Sequence, residues 1–319
     1  SGLDGKTVVI ISTSNRTVSR QNLAMRNLFI ARAAKENGAS EVILVEPDLY
    51  YSAQDRGPRP KLGDVPFGRD QTDLKKFDGQ PFTAKLYAQI LKMAGVDRVI
   101  TVHNHSSAVQ SIFSEIFEGQ YYHLLPYEIY LDYLRNSNIV NFSPDGEGLA
   151  LCAPDEGARA FVREMIAILR LPKAKCLLLD KQRTGERDVD LSLSKESEST
   201  FEDVAGHDIV LFDDMVRTGS TLVRTCQYLK KIKPGRLIFA VTHFYASDEG
   251  RQKLADTAID EILTLNTLST ILNRDEQGRL RRKIVVLKIE RWLAQNLTKI
   301  LDLPVKDESE LYHIDMSSK

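Results

Sequence analysis

Two adjacent carboxylates, Asp213 and Asp214, end the apolar run in HDIVLFDDMVRTGSTLVRTCQYLKK, and a short hydroxyl-rich segment with Gly219 separates them from an amphipathic helical pattern that begins at about Ser220. The order is strand, acids, loop, helix. Ligands of open α/β sheets bind outside the carboxyl ends of parallel strands, so this order aims both acids into a ligand crevice. There they can hold ribose hydroxyls, directly or through Mg2+. Arg217, Thr218, Gly219, Ser220 and Thr221 offer hydroxyls and backbone amides at a helix N-terminus, with a glycine that permits close approach of an anion. A 5-phosphate group on ribose fits that chemistry.

Other residues point to the same kind of ligand. Asp155 follows the apolar run GLALCAP and precedes Gly157, which puts a further carboxylate at a strand end beside a tight turn, where it meets the sugar or its metal. Lys181 and Arg183 alternate on the segment leaving AKCLLLD, and the polar stretch onward to Ser199 reads as a flexible flap whose closure brings both cations to phosphate oxygens. In DRVITVHNH the period of two predicts that His103 and His105 share one face of a strand end.

The elements that must position these groups alternate along the chain. KTVVIIS, a helical pattern over 21–37 and SEVILVEP read as a βαβ start. A loop is expected from 56 to 79, then a helix over 82–94 leading through Gly95 into DRVITVHNH. The alternation resumes with GLALCAPD, a helix over 157–170, AKCLLLD, HDIVLFDD, LIFAVTHF and EILTLNT, which predicts parallel α/β architecture. Pro144, Gly146 and Gly148 cluster at 143–148, and the domain boundary is placed there, giving domains 1–146 and 147–319.

Composition bounds the rest. The 319 residues suffice for two domains, and a net charge of -1 gives no global pull toward nucleic acid or a membrane surface. RLRRK at 279–283 reads as a solvated turn before IVVLKI rather than as a nucleic-acid patch. Three cysteines without metal-type spacing favour reduced thiols and a cytoplasmic location. No run spans a bilayer, and the first residues lack the pattern of a signal peptide.

DDMVRTGST resembles the phosphoribosyl diphosphate binding motif of type I phosphoribosyltransferases and of ribose-phosphate diphosphokinases, the PRPP synthetases. YYSAQDR, FTAKLYAQILKMAGVDRVITVHNHSS, CAPDEGARAFV and LDKQR resemble, in order, the diphosphokinases' ATP segment, the stretch ending in their metal histidine, their ribose-phosphate loop and the start of their catalytic loop. The resemblance implies two phosphoribosyltransferase-like α/β domains with mainly parallel sheets flanked by helices, ATP as co-substrate, Mg2+, and a homo-oligomer acting on small molecules. It implies ATP binding by Gln54, Asp55, Arg56 and His105, metal contact by His105 and Asp155, acceptor binding by Asp155, Asp213, Asp214 and 217–221, and catalysis by Lys181 and Arg183. Departures are visible: Ala53 replaces a usual arginine, His103 a usual aspartate, Arg217 a frequent aspartate and Ser220 a second glycine, and 56–79 is longer than expected. The family's N-terminal segment with an FSDGE-like stretch has no counterpart before KTVVIIS. Added charge and bulk at 217 and 220 suggest an acceptor with a larger or more anionic 5-substituent, such as ADP-ribose. A phosphoribosyltransferase and a non-catalytic regulatory paralogue are the alternatives.

Overall fold

A computed structural model of the chain describes residues 2–15, 17–63, 69–183, 189–304 and 310–315. Its contacts divide into two compact units, Ser1–Leu125 and Pro126–Lys319.

The first unit runs β1 (Thr7–Ile11), α1 (Arg20–Glu36), β2 (Glu41–Val45), α2 (Gln71–Lys76), α3 (Thr83–Ala94), β3 (Arg98–Val102), α4 (Ser107–Ile116) and β4 (Tyr121–Leu124). The four strands pair in sequence order and all in parallel. Near-continuous apolar strands such as EVILV suit a sheet covered by helices, and Val42, Leu44 and Val99 pack there with Leu23 and Ala31 of α1 and Leu91 of α3. Local chemistry sets the helix ends: Ser19 and Ser106 cap α1 and α4 through their hydroxyls, and Gly95 ends α3 at φ 99°.

The stretch 56–79, expected as loop, contains α2. Its apolar content is too low for a periodic signal, and polar contacts hold it instead. Asp70 accepts from the Asp73 amide at 2.7 Å, and Asp73 receives Arg56 at 2.9 Å and Arg69 at 2.7 Å. Both guanidinium groups also lie over the Phe77 ring, at 4.8 and 5.4 Å.

The second unit runs α5 (Tyr127–Asn136), β5 (Leu149–Ala153), α6 (Glu156–Leu169), β6 (Lys175–Arg183), β7 (Val189–Leu193), β8 (Asp208–Val216), α7 (Ser220–Lys230), β9 (Leu237–Phe244), α8 (Asp248–Leu254) and β10 (Glu261–Leu265). It ends with α9 (Arg274–Gln277) between two 3-10 turns, β11 (Ile284–Lys288), α10 (Glu290–Ile300) and β12 (His313–Ile314). The sheet order is β12-β11-β10-β9-β8-β5-β6-β7, parallel except for β7 and β12 at its edges. RLRRK lies largely in the second 3-10 turn, directly before β11. Helix α5 joins this unit ahead of the turn-rich stretch 143–148, because Tyr127 stacks near Phe161 at 4.6 Å and Tyr130 meets Phe212 edge-on at 5.4 Å. Both units are α/β with mainly parallel sheets flanked by helices, as expected.

Two features of the second sheet matter for function. The chain leaves β5 toward β6 on one side and returns to β8 on the other, so β5 and β8 are neighbours at a reversal of strand order, where α/β sheets open a crevice. In β6 only Lys175 to Leu178 pair with β5, whereas Leu179 to Arg183 pair with β7 alone. The expectation of an unpacked flap onward to Ser199 is corrected for 189–199. There β7 pairs with β6, Ser194 N–H donates to Leu178 O, and the Ser197 and Ser199 hydroxyls accept from the Leu178 and Cys176 amides. Alternating serines satisfy the edge of β6, a pattern without an apolar signature.

Candidate acceptor site and nucleotide segment

The β5/β8 reversal positions the carboxylates. Strand β8 buries its apolar stretch from Ile209 to Phe212 and leaves Asp213 and Asp214 half-buried at its end. Asp213 Oδ1 accepts from the Asp214 N–H at 2.9 Å, which fixes one oxygen. Beyond Val216 the chain turns at Gly219, whose φ of 68° favours glycine, and enters α7 without a side-chain cap. The first amides of a helix have no partner within it, and an anion can supply one.

Pro154, Asp213, Arg217, Thr218, Gly219 and Thr221, with Met215, Val216 and Leu222, line one cleft of about 230 Å³. Asp155 follows Pro154 and starts α6 in extended backbone (φ -159°) without capping it. The cleft thus brings together Asp213 and four of the five loop residues expected for an acceptor site, while Asp155 lies next to its Pro154 wall without lining it. Asp214 and Ser220 are not among the lining residues, and Ser220 Oγ accepts from Lys253 Nζ at 3.0 Å.

Helix α8 backs the loop, a contribution the sequence reading missed. A Cβ at Gly250 would lie 2.7 Å from Arg217 O and 3.3 Å from Thr218 O, and one at Gly219 would lie 2.9 Å from Leu254 Cγ. Lys253, also paired with Glu249 at 2.7 Å, adds a cation beside α7. Arg217 is exposed, with its guanidinium 5.8 Å over the Tyr245 ring. The signal available in the sequence was the capping pattern of SDEG after a buried strand, in which Ser247 accepts from the Gly250 amide.

Lys181 and Arg183 sit on the five-residue stretch of β6 paired with β7, in register with Leu191 and Val189. Residues 184–188 of the expected catalytic loop lie outside the described residues.

In the first unit Gln54 is exposed, Asp55 is buried, and Arg56 is shared between Asp55 at 3.3 Å and Asp73 at 2.9 Å. The expectation of His103 and His105 on one strand face is corrected. Strand β3 ends at Val102, His103 adopts φ 43° and is buried, and His105 is exposed at the turn into α4. Alternation does not extend past the last paired residue.

Among the described residues no three His, Cys, Asp or Glu side chains converge on a cation position. Asp213 in the cleft wall and Asp155 at the start of α6 are each hard oxygen donors at the end of a strand. Carboxylate oxygens of this kind suit Mg2+, which usually takes one or two carboxylates and completes its shell with water and substrate phosphates.

The phosphoribosyl transferase domain family matches residues 128–271. Ribose-phosphate pyrophosphokinase 1 of Streptococcus pyogenes is 26% identical over 296 residues, covering 93% of this chain and 80% of that protein. The ribose-phosphate pyrophosphokinase of Corynebacterium efficiens is 28% identical over 282 residues, covering 87% and 73%. Among solved structures, phosphoribosylpyrophosphate synthetase from Mycobacterium smegmatis matches with a TM-score of 0.71 at 21% identity, over 95% of this chain and 85% of that one.

Proposed function

We propose that this chain, similar along most of its length to ribose-phosphate pyrophosphokinases, transfers a diphosphoryl group from ATP to the 1-hydroxyl of ribose 5-phosphate or a related ribose-phosphate acceptor, releasing AMP. The observation that carries this reading is the single cleft at the β5/β8 reversal in which Asp213 and the loop residues 217–219 and 221 meet. Loop amides and hydroxyls would take the 5-phosphate, and Asp213, Asp214 and Asp155 the ribose hydroxyls. Gln54, Asp55, Arg56 and His105 are assigned to ATP.

In the reaction the 1-oxygen forms a bond to the β-phosphorus, the bond from that phosphorus to the α–β bridging oxygen breaks, and the hydroxyl proton is lost. Negative charge builds on the bridging oxygen and the transferred phosphates, where Lys181 and Arg183 are assigned to stabilise it. Mg2+, when bound, would supply positive charge to phosphate oxygens, and Asp155 is the residue of the second unit assigned to hold it. Preorganised donors in the loop hold the acceptor without reorganisation during transfer.

Arg217 in the cleft wall and Lys253 beside Ser220 favour a second reading, an acceptor with a more anionic 5-substituent such as ADP-ribose. AMP release from ATP and Mg2+, compared among ribose 5-phosphate, ADP-ribose and no acceptor, tests both readings. Acceptor-dependent AMP that is lost in Lys181→Ala supports the transfer, and the better acceptor decides its class. No AMP with either acceptor would remove the proposal.

Exposed Met25 and Phe29, one turn apart on α1, are consistent with a homo-oligomer, to be checked by sedimentation. Cys152, Cys176 and Cys226 are buried and outside any disulfide, which fits a cytoplasmic setting.

A further inference from the structure

A carboxylate in the first unit has no part in the transfer described above. Glu46 follows β2 and is fully buried, yet three elements converge on it. Asn27 Nδ2 of α1 and Tyr87 OH of α3 both donate to Oε1, at 2.8 and 2.6 Å, and the backbone N–H of Tyr50 donates to Oε2 at 3.1 Å. Tyr50 opens a turn in a costly conformation: Tyr51 has φ 64°, left-handed for a residue with a large side chain, and its ring packs edge-on against Tyr87 at 5.2 Å. The Gln54 N–H then donates to Tyr51 O at 2.8 Å, and Gln54 O accepts from Ala84 N–H at 3.2 Å. An unbroken line of contacts leads from Glu46 through Tyr50 and Tyr51 to Gln54.

We propose that Glu46 is a positioning residue for the ATP segment: its carboxylate holds the Tyr50 amide, and thereby the Tyr51 turn from which Gln54 is hung, and taking up a proton lets that amide go. This inference rests on the assignment of Gln54, Asp55 and Arg56 to ATP. Buried side chains are not usually left carrying a charge unless something needs it. Here the neighbours are Asp48, itself buried and tied to Arg20 of α1, and the phenols of Tyr50 and Tyr87. Burial, with Asp48 adding to it, pushes the Glu46 carboxyl up to about 7 against the pull of its three donors. Oε1 already serves two donors, so the open lone pair is on Oε2. A proton there turns the acceptor of Tyr50 into an acid hydroxyl oxygen, a weak acceptor.

The test pairs steady-state kinetics with hydrogen exchange of the intact chain. In the natural protein KM for ATP is expected to rise by about tenfold between pH 8.5 and 6 while kcat at saturating ATP holds, as for loss of one hydrogen bond to a charged group. Glu46→Gln, whose NH2 confronts the Tyr50 N–H, should show the high KM at both pH values. Protection of the Tyr50 amide, corrected for intrinsic exchange, should fall in parallel in the natural protein, a readout that needs no variant to fold. Equal protection at the two pH values overturns the proposal. So does a lost protection that leaves KM for ATP unmoved while Arg56→Ala raises it. If Arg56→Ala also leaves KM unchanged, the ATP assignment of 54–56 fails together with the positioning role.

Discussion

Gly250 of α8 lies against the backbone of Arg217, so closely that a Cβ at position 250 would stand 2.7 Å from the Arg217 carbonyl oxygen. The obstacle is backbone, which cannot swing aside as a side-chain tip can. Gly250→Ala therefore has to push α8 and the loop 217–219 apart. We expect about 1–3 kcal/mol of destabilisation in urea unfolding, typical of overpacking, with a raised KM for the acceptor and an unchanged KM for ATP. Equal rises in both would show that the loop does not serve the acceptor alone.

Asp213, with one oxygen fixed by the Asp214 amide and its side chain in the cleft wall, is the acid assigned most directly to the ribose. Asp213→Asn keeps the shape and removes the charge. The expected loss in kcat/KM is about 100-fold, roughly 2.7 kcal/mol, with little change in melting temperature. A variant as active as the natural protein would place the ribose elsewhere.

Asp73 anchors α2 by taking Arg56 and Arg69, and Arg69 has a side chain only 3% exposed. In Asp73→Ala that guanidinium stays buried with the Arg59 and Leu62 carbonyls as partners but no counter-charge. Destabilisation of roughly 3 kcal/mol is expected, and the segment 56–79 should become the first site of limited proteolysis. Since Arg56 is also released, the KM for ATP should move as well.

Stability should respond to Glu46 in a direction opposite to that of most carboxylates. Its pKa is raised on folding from 4.5 to about 7, because burial disfavours the charge. The folded state thus binds the proton more tightly, so this group's contribution is fully present below pH 4.5 and is lost as pH rises through 7. The shift corresponds to roughly 3 kcal/mol. Glu46→Gln has no proton to lose, so its unfolding free energy, relative to the natural protein, should improve from pH 5 to pH 8.5. Parallel pH profiles for the two proteins would contradict a buried, titrating Glu46.

Much of this was legible in the residues. HDIVLFDDMVRTGST shows a buried strand, its acids and a helix start, because apolar runs and a glycine turn each leave a local mark, and the cleft forms from those residues. What stayed hidden depends on contacts distant in sequence. Helix α2 stands on Asp73, Arg56 and Arg69 rather than on an apolar face. The turn at His103 was hidden because strand β3 stops at Val102, a limit set by pairing with β4. Gly250 reads as an ordinary residue of a short helix until α8 is seen against the loop. Glu46, one polar letter after EVILV, gives no sign of three donors from α1, α3 and the turn at Tyr50.

The unequal pairing of β6 gives Lys181 and Arg183 a mechanical character of their own. From Leu179 onward this strand is one half of a two-stranded ribbon, anchored to the broad sheet only through Lys175 to Leu178. A two-stranded ribbon twists more strongly than a broad sheet while keeping its internal register. Positions 181 and 183 share that ribbon, in register with Leu191 and Val189. Inserting a single residue between Leu178 and Lys181 would put the alternation of everything beyond it out of step with the broad sheet, whereas inserting two would restore it.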